Sequence, residues 1–381
     1  RKKLVMYINP PYAEAGNVKQ RTGTGENKAN TSNNNRTYEK YKYIIGKASN
    51  ELFTQFLARI YAEIPNSKIA NFSTLKNLQS SNFKNFRAFY RAKLEKIFLV
   101  PADTFDNVNG SFPIGFFIFN TEKNEEFTYI HADVYNKNAE FIGNKNIYSY
   151  DNNLFINKWI ANYRNKDINK LCTLVTDVGD FQNQNQVYIF NSSEPVKGHK
   201  VIIDVSLNNI ISICVYYSVR KAIPATWLND RDQFLFPNDN WKNDKEFQND
   251  CLAFTLFDKS NNIQSKFGTN HWIPFTEQEV DAKEKFASNF MTDFINGKLK
   301  TEAKNSLFDA SENIGVYNNK PLQFSDEAKA VFDAGRELWK YYHTQKFPSL
   351  GGSLDQKFPS FGGVPEGRGG YNANASFYDI R

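Results

Sequence analysis

The spacing of apolar residues in the first third of the chain predicts alternating strands and helices. An apolar run at residues 4–8 stops at two prolines, which is typical of a buried strand with a sharp end. On the same reasoning the sequence predicts strands at 4–8, 68–75, 97–100 and 112–119, and helices at 48–63 and 82–94. This order, completed by a hairpin, is typical of one half of an open α/β sheet.

Shorter and more polar elements follow from about residue 128. Strands are predicted at 128–135, 141–150, 187–190 and 200–205, and helices at 154–164, 207–221, 276–296 and 325–343. Thr276 and Glu279 have the spacing of a capping box, which supports the start of the third of these helices. The pattern predicts a second domain of mixed α/β structure.

Three segments are therefore expected. Residues 1–127 form half of a doubly wound, Rossmann-like sheet, residues 128–344 form the second domain, and residues 345–381 form a loop and tail. The tail contains a short repeat that begins at Gln345 and again at Gln356. Two copies are too few for a solenoid, so the repeat is predicted to be an exposed, duplicated loop.

The composition is that of a chain with packed cores. Of the 381 residues, 40% are apolar and 15% are aromatic, which excludes a disordered or collagen-like protein. No apolar run approaches the roughly 18 residues of a membrane span, and the amino end lacks a signal-peptide pattern. The sequence predicts a soluble, cytoplasmic protein that does not contact a membrane. Its three cysteines, Cys172, Cys214 and Cys251, lie far apart within apolar stretches and are predicted to be core thiols.

Positive charge is concentrated in the first third of the chain. Residues 1–130 hold 19 basic and 11 acidic side chains, whereas residues 131–381 hold 28 and 30. The two net charges are therefore +8 and −2. A local basic excess suits a polyanion such as nucleic acid, and an ordinary solvated surface is the alternative.

The run Asn9-Pro10-Pro11-Tyr12 is the clearest candidate for chemistry. It follows the first predicted strand, and ligands of open α/β sheets bind at the carboxyl ends of strands. A planar amino group is a poor nucleophile because its lone pair is delocalised. The amide oxygen of Asn9 and the backbone carbonyl of Pro10 would accept its hydrogens and release that pair. Tyr12 would stack on a flat substrate, while a strand that simply ends at two prolines is the alternative.

Residues 4–12 resemble the catalytic motif of S-adenosylmethionine-dependent amino-methyltransferases, in which Asp or Asn precedes two prolines and Tyr or Phe. Residues 97–119 resemble a later hairpin of the DNA adenine-N6 methyltransferases of restriction-modification systems. Stretches at 225–230, 270–275 and 334–339 are also similar to large single-chain enzymes of that kind. The resemblance implies methyl transfer to N6 of an adenine that is flipped out of double-stranded DNA.

The resemblance also implies residues that this sequence does not contain. In this class the glycine-rich cofactor turn lies upstream of the catalytic motif, and no such turn precedes Asn9. We therefore expect the contacts to S-adenosylmethionine upstream of Arg1, in a missing amino-terminal half or a separate polypeptide, and we expect this segment alone to be inactive. A separate endonuclease is another partner that the resemblance implies.

Other substrates stay open at this point. The same motif serves release-factor glutamine methyltransferases and some ribosomal RNA guanine methyltransferases. The roughly 250 residues beyond the sheet favour DNA, because a pocket for one base cannot read a duplex sequence. A DNA-binding specificity protein with a vestigial catalytic edge is the alternative from a different class.

Two further sets of residues are candidates for substrate contacts. Phe119, and after it Phe117, occupy positions in the hairpin where the resemblance places an aromatic ring against the flipped base. Sheet core is the alternative for both residues. Lys84, Arg87 and Arg91 form a basic stripe on a predicted helix and are candidate phosphate contacts, with a solvated helix face as the alternative.

Metal and nuclease chemistry receive little support. His131, His199, His271 and His343 are isolated from other ligands at metal spacing, so no metal site is predicted. Glu327 and Lys329 match the end of a nuclease motif, but they lie in a predicted helix without the strand that normally precedes them.

Overall fold

The computed structural model describes residues 4–10, 32–106, 108, 110–150, 152–164, 170–176, 179–190, 201–258, 272–286, 288–299 and 320–344. The chain forms two compact units. The first contains residues 1–155, 180–182 and 224–234, and the second contains residues 156–179, 183–223 and 235–381.

A six-stranded mixed sheet forms the centre of the first unit. Its strands are β1 (Leu4–Ile8), β2 (Ser67–Thr74), β3 (Ala92–Pro101), β4 (Pro113–Asn124), β5 (Tyr129–Tyr135) and β6 (Phe141–Tyr148). They lie in the order β1-β2-β4-β3-β5-β6. Strands β1, β2, β3 and β5 point in one direction, and β4 and β6 point in the other. The α/β class predicted from the sequence is confirmed, and the sheet is mixed.

The sheet extends beyond the boundary expected at residue 127. Strands β5 and β6 were assigned to the second domain from their sequence, but both pair into the first sheet. Target recognition by residues 128–344 stays a prediction.

Four helices belong to the first unit. They are α1 (Arg36–Ile45), α2 (Leu52–Glu63), α3 (Lys76–Gln79) and α4 (Lys84–Phe89). Tyr41 of α1, Leu57 of α2 and Phe86 of α4 join Ile69 and Phe117 of the sheet in one buried cluster. Because the apolar faces of the helices all supply this cluster, they pack on the same face of the sheet.

The predicted helix at 82–94 is wrong in its second half. The helix ends at Phe89, and residues from Ala92 onward form β3. Phe83, Phe86, Tyr90 and Leu94 have helical spacing, but Leu94 pairs with Phe119 of β4 across the sheet. Non-local strand pairing therefore overrides a local helical period.

A segment at 224–234 returns to the first unit and is held there by polar contacts. Lys145 Nζ of β6 lies 2.6 Å from the Asp232 carboxylate and donates to the Leu228 carbonyl at 2.6 Å. Gln79 Nε2 donates to the same carboxylate at 2.8 Å. Trp227 and Leu228 also pack against the buried cluster, so this segment is an integral layer of the first unit.

The second unit has a small antiparallel sheet and several helices. Its strands are β7 (Cys172–Thr176), β8 (Tyr188–Phe190) and β9 (Val201–Val205), in the order β8-β7-β9. Its helices are α5 (Ile156–Trp159), α6 (Ile210–Lys221), α7 (Lys245–Phe257), α8 (Phe290–Ile295) and α9 (Asp326–Thr344). The helices expected at 207–221 and 325–343 are confirmed, whereas β7 and α7 were not predicted.

The predicted helix at 276–296 is wrong over most of its length. Thr276 and Glu279 make the reciprocal capping-box bonds, with Thr276 N donating to Glu279 Oε2 at 2.7 Å and Glu279 N donating to Thr276 Oγ1 at 3.3 Å. These two bonds close a turn instead of starting a long helix. The chain then folds back, because the Glu277 carboxylate accepts the Phe286 backbone N–H at 2.7 Å. Among the described residues of this range, only α8 is helical.

Within the described ranges, no helix combines the length and the apolar character that a membrane crossing requires. The duplicated tail at 345–381 lies outside the described residues.

Candidate active site

Asn9 and Pro10 directly follow β1 at the carboxyl edge of the sheet. Strand β1 runs parallel to β2, and its last residue, Ile8, lies opposite Asn71. Asn9 is exposed and Pro10 is buried. The carboxyl ends of β1, β2, β3 and β5 share this edge, which is where ligands of open α/β sheets bind. The other two residues of the motif, Pro11 and Tyr12, lie outside the described residues.

A buried amide beside the motif was not identified from the sequence. Asn71 is 0% exposed and lies in a row with Ile8 of β1 and Phe117 of β4. Its Nδ2 donates to the Phe72 carbonyl at 3.2 Å, while its Oδ1 accepts no hydrogen bond from a described residue. The sequence signal that could have identified Asn71 is its position as a polar residue in the second half of an apolar strand, close to the carboxyl edge.

Aromatic rings cover the opposite face of the sheet near the same edge. Tyr7 of β1 is 66% exposed, and its ring centroid lies 5.9 Å from that of Phe116. Phe116 in turn packs against Phe72 at 4.8 Å and Phe98 at 4.9 Å. These rings form a partly exposed apolar cluster on the face of the sheet opposite the helices, beside the strand that ends before Asn9.

The structure places Phe117 and Phe119 in the core. Phe117 is 0% exposed and Phe119 is 3% exposed, and their rings stack at 5.7 Å. Phe119 also meets the ring of Tyr90 edge-on at 5.2 Å. A flipped base reaches neither ring unless this cluster opens. Their contact with a base stays a prediction, and their burial favours the sheet-core alternative.

The basic stripe of Lys84, Arg87 and Arg91 does not form a common surface. Arg87 donates to the carbonyls of Asn77 at 3.3 Å and Ser80 at 2.9 Å, and burial lowers its pKa. Arg91 lies outside the helix and pairs with Glu126 at 3.1 Å. Of the three side chains, Lys84 alone is exposed on α4. Phosphate contact by these residues stays a prediction that their geometry does not support.

The stretches at 270–275 and 334–339, which carry part of the resemblance, contribute residues to one core of the second unit. Ile273 and Phe275 are buried together with Trp339 of α9, and the rings of Phe275 and Trp339 lie 5.6 Å apart. Asn270 and His271 lie outside the described residues. These stretches therefore owe part of their apolar pattern to packing.

The cysteines have the environment of core thiols. All three are buried, and burial raises the pKa of both Cys214 and Cys251 to about 12. Such thiols are poor nucleophiles because almost none are ionised near neutral pH. Among the residues that the structure describes, no group of three or more His, Cys, Asp or Glu side chains is arranged to hold a metal ion. Lys329 lies on α9, where it pairs with Asp326 at 2.8 Å.

The chain has only weak similarity to the known proteins described below. No protein-family model matches the chain, and no curated protein does. One similar solved structure is a modification subunit of a putative type I restriction enzyme from Vibrio vulnificus YJ016, at 14% identity and a TM-score of 0.23. The match covers 54% of this chain and 37% of that one, so this chain spans well under half of that subunit's length.

Proposed function

We propose that this chain carries the substrate-facing edge of a DNA adenine-N6 methyltransferase of a restriction-modification system, with S-adenosylmethionine as methyl donor. The position of Asn9 and Pro10 directly after β1, beside the parallel strand β2, carries the proposal. An antiparallel β1 would have placed the same residues at the opposite edge, away from the ligand position of open α/β sheets.

The proposed chemistry uses two oxygen acceptors. Asn9 Oδ1 and the Pro10 carbonyl would each accept one hydrogen of the adenine amino group. The nitrogen lone pair then becomes available for attack, because it is no longer shared fully with the ring. Pro10 is buried and has a fixed φ, so its carbonyl is held in place before the substrate binds. Tyr12 is proposed to stack on the base, and S-adenosylmethionine would supply the activated methyl group.

The described residues do not fit the cofactor itself. Within the described ranges, Leu75 follows β2, Ala102 follows β3 and Asn136 follows β5, and none of them begins a glycine-rich turn. After β1 the described residues end at Pro10. We therefore propose that the contacts to S-adenosylmethionine come from other residues, as the resemblance implies. Reading of the DNA sequence is proposed for residues 128–344.

Substitution of Asn9 in the complete protein tests the proposal. Asn9→Ala should lower the rate of methyl transfer to duplex DNA by roughly 10²-fold or more, since it removes one oriented hydrogen-bond acceptor from the reacting group. Asn9→Asp keeps an oxygen acceptor and should retain most of the rate, because the motif of the resembling enzymes accepts either residue. Transfer of labelled methyl from S-adenosylmethionine measures all three proteins.

Asn124→Ala is the matched control, because Asn124 is exposed at the end of β4 and lies outside the proposed reading region. Its rate should equal that of the unsubstituted protein, and duplex affinity should be the same for every variant. Equal rates for Asn9→Ala and the control would contradict the proposal. Methyl transfer to protein or RNA with no transfer to DNA would redirect it to one of the other amino-methyltransferase classes.

A further inference from the structure

The solvent-facing side of α1 carries a row of basic and aromatic side chains. Arg36, Lys40, Tyr43 and Lys47 follow one another at intervals of four, three and four residues, and all four are exposed. Tyr41 and Ile45 on the opposite side of the helix are buried. Intervals of three and four residues place Arg36, Lys40 and Tyr43 on one face of α1. Lys47 lies beyond the end of α1, in the 3₁₀ turn Gly46–Asn50. These four residues are here called the α1 stripe.

Within the described residues of the first unit, the positive excess lies in the segment from α1 to α2. Residues 36–63 hold five basic and three acidic side chains, a net charge of +2. The remaining described residues of this unit hold 11 of each sign and have no net charge. The surface around the α1 stripe is therefore where a polyanion meets the least acidic competition within the described part of this unit.

Ion pairing leaves positive charge in excess along the α1 stripe. Arg36 and Lys47 make no ion pair with a described residue. Lys40 pairs with Glu63 at 2.9 Å, but Arg59 shares the same carboxylate at 3.0 Å. Two cations therefore face one anion. By contrast, Lys93 on β3 and Arg91 just before it each pair with a glutamate of their own.

An exposed aromatic ring lies within the stripe. Tyr43 is 85% exposed, the highest value among the large hydrophobic side chains of the described residues. Lys42 Nζ lies 5.1 Å from the centre of its ring. A tyrosine in such a place offers a flat ring and a hydroxyl next to cations, which suits a sugar-phosphate contact.

We propose that the α1 stripe is a docking surface for the phosphate backbone of duplex DNA, an inference that rests on the proposed function. Helix α1 rises roughly 14 Å over the nine residue steps from Arg36 to Ile45, and Lys47 lies just beyond its end. The major groove of DNA is about 12 Å wide, so the stripe is long enough to contact phosphates on both of its rims. Arg36, Lys40 and Lys47 neutralise phosphates, and Tyr43 packs against the sugar between them.

The salt dependence of duplex binding tests this surface. The triple variant Arg36→Gln/Lys40→Gln/Lys47→Gln should reduce the slope of log affinity against log salt by roughly 2.7, because each lost phosphate contact removes about 0.9. Tyr43→Ala should weaken binding and leave the slope unchanged. Fluorescence anisotropy of a labelled duplex over a salt series, with the complete protein, gives both quantities.

The control is a second triple variant, Lys93→Gln/Lys96→Gln/Lys123→Gln, which removes the same charge from β3 and β4, where each lysine lies beside a carboxylate. Its slope should equal that of the unsubstituted protein. An equal loss of slope in both triple variants, or a loss in the control alone, would overturn the inference. So would an unchanged slope in the α1 variant when thermal melting shows that it is folded.

Methyl transfer by the same proteins separates this inference from the proposed function. Transfer by the unsubstituted protein, together with an unchanged slope in the α1 variant, would refute the docking surface and leave the proposed function intact. Salt-sensitive binding through the α1 stripe without any methyl transfer would support the surface and contradict the enzyme.

Discussion

We expect the Phe117 ring to occupy space that Gly115 leaves open. A methyl group added at Gly115 would lie 2.8 and 2.9 Å from Cε2 and Cζ of Phe117, and 3.0 Å from Cδ1 of Ile97. Carbon atoms pack at roughly 3.5–4.0 Å, so Gly115→Ala forces the ring or its neighbours to move. Because Phe117 is 0% exposed, movement of the ring disturbs the core.

The expected magnitudes follow from these contacts. Gly115→Ala overpacks the site and should lower the free energy of unfolding by about 2 kcal/mol. Phe117→Leu removes the outer ring atoms and should cost about 1.5 kcal/mol. In the double variant the new methyl group no longer meets Cε2 and Cζ, which leucine lacks, so the total loss should be about 2 kcal/mol instead of about 3.5. The coupling energy of about 1.5 kcal/mol is typical of residues in contact.

Urea unfolding of the four proteins in this cycle, followed by circular dichroism, measures the coupling. Strictly additive losses, or wild-type stability of Phe117→Leu, would refute the packing argument. The same variants also separate the two alternatives for Phe117. If the Phe117 ring faced a flipped base, its substitution would change the fluorescence of 2-aminopurine at the target position and leave the free energy of unfolding unchanged.

The remaining predictions concern stability and reactivity. Lys145→Met should lower the free energy of unfolding by about 2 kcal/mol, because it leaves the partly buried Asp232 carboxylate without its cation. Lys137→Met, at an exposed site, should change it by less than about 0.5 kcal/mol, and urea unfolding measures both. Arg87→Met should cost about 2 kcal/mol by removing two bonds to carbonyls, and should leave the salt slope of DNA binding unchanged in anisotropy measurements. Asn71→Leu should raise the free energy of unfolding by about 1 kcal/mol, since it removes a buried oxygen without a partner, and a lower urea midpoint would contradict this. Cys214 should resist iodoacetamide at pH 8 until urea unfolds the protein, because a pKa of about 12 leaves roughly one thiol in 10⁴ ionised. Mass spectrometry measures the alkylation. Rapid alkylation of the folded protein would show that the thiol is accessible.

Much of the first sheet could be predicted because its strands are short apolar runs between strong breakers. The run at 4–8 ends at two prolines, and the strand that begins at Ser67 follows Pro65 and Asn66. Asn66 has a φ of 61°, a left-handed conformation that Asn tolerates better than most residues. Local chemistry therefore determines where these strands begin and end.

Helix α1 could not be predicted from apolar spacing alone. Only Tyr41 and Ile45 are buried in its ten residues, so the apolar signal is weak. The start signal was present, since Asn35 Oδ1 accepts the Tyr38 N–H at 2.9 Å. The cap directly follows a polar, glycine-containing stretch, so the sequence pattern predicted a loop up to Arg36 and did not predict the helix. The candidate phosphate surface on this helix was therefore not predicted either.

The phosphate stripe predicted on α4 failed for a different reason. Helical spacing correctly predicts which side chains project from a helix, but it does not predict which of them find partners. Arg87 reaches the carbonyls of Asn77 and Ser80, which are brought near it by the turn before α4. Tertiary contacts of this kind are absent from a one-dimensional pattern, so a basic stripe is weak evidence until its ion pairs are known.

The direction of β1 bears most strongly on whether the Asn9-Pro10 motif can serve a ligand. Four residues that end a strand are compatible with either a catalytic edge or a simple stop. Parallel pairing with β2, with Ile8 opposite Asn71, places the motif at the edge where β2, β3 and β5 also end. Among the described residues, the buried amide oxygen of Asn71 has no hydrogen-bond partner there, which costs stability. Departures from the most stable choice concentrate at functional sites, and both polar groups lie at this edge of the sheet.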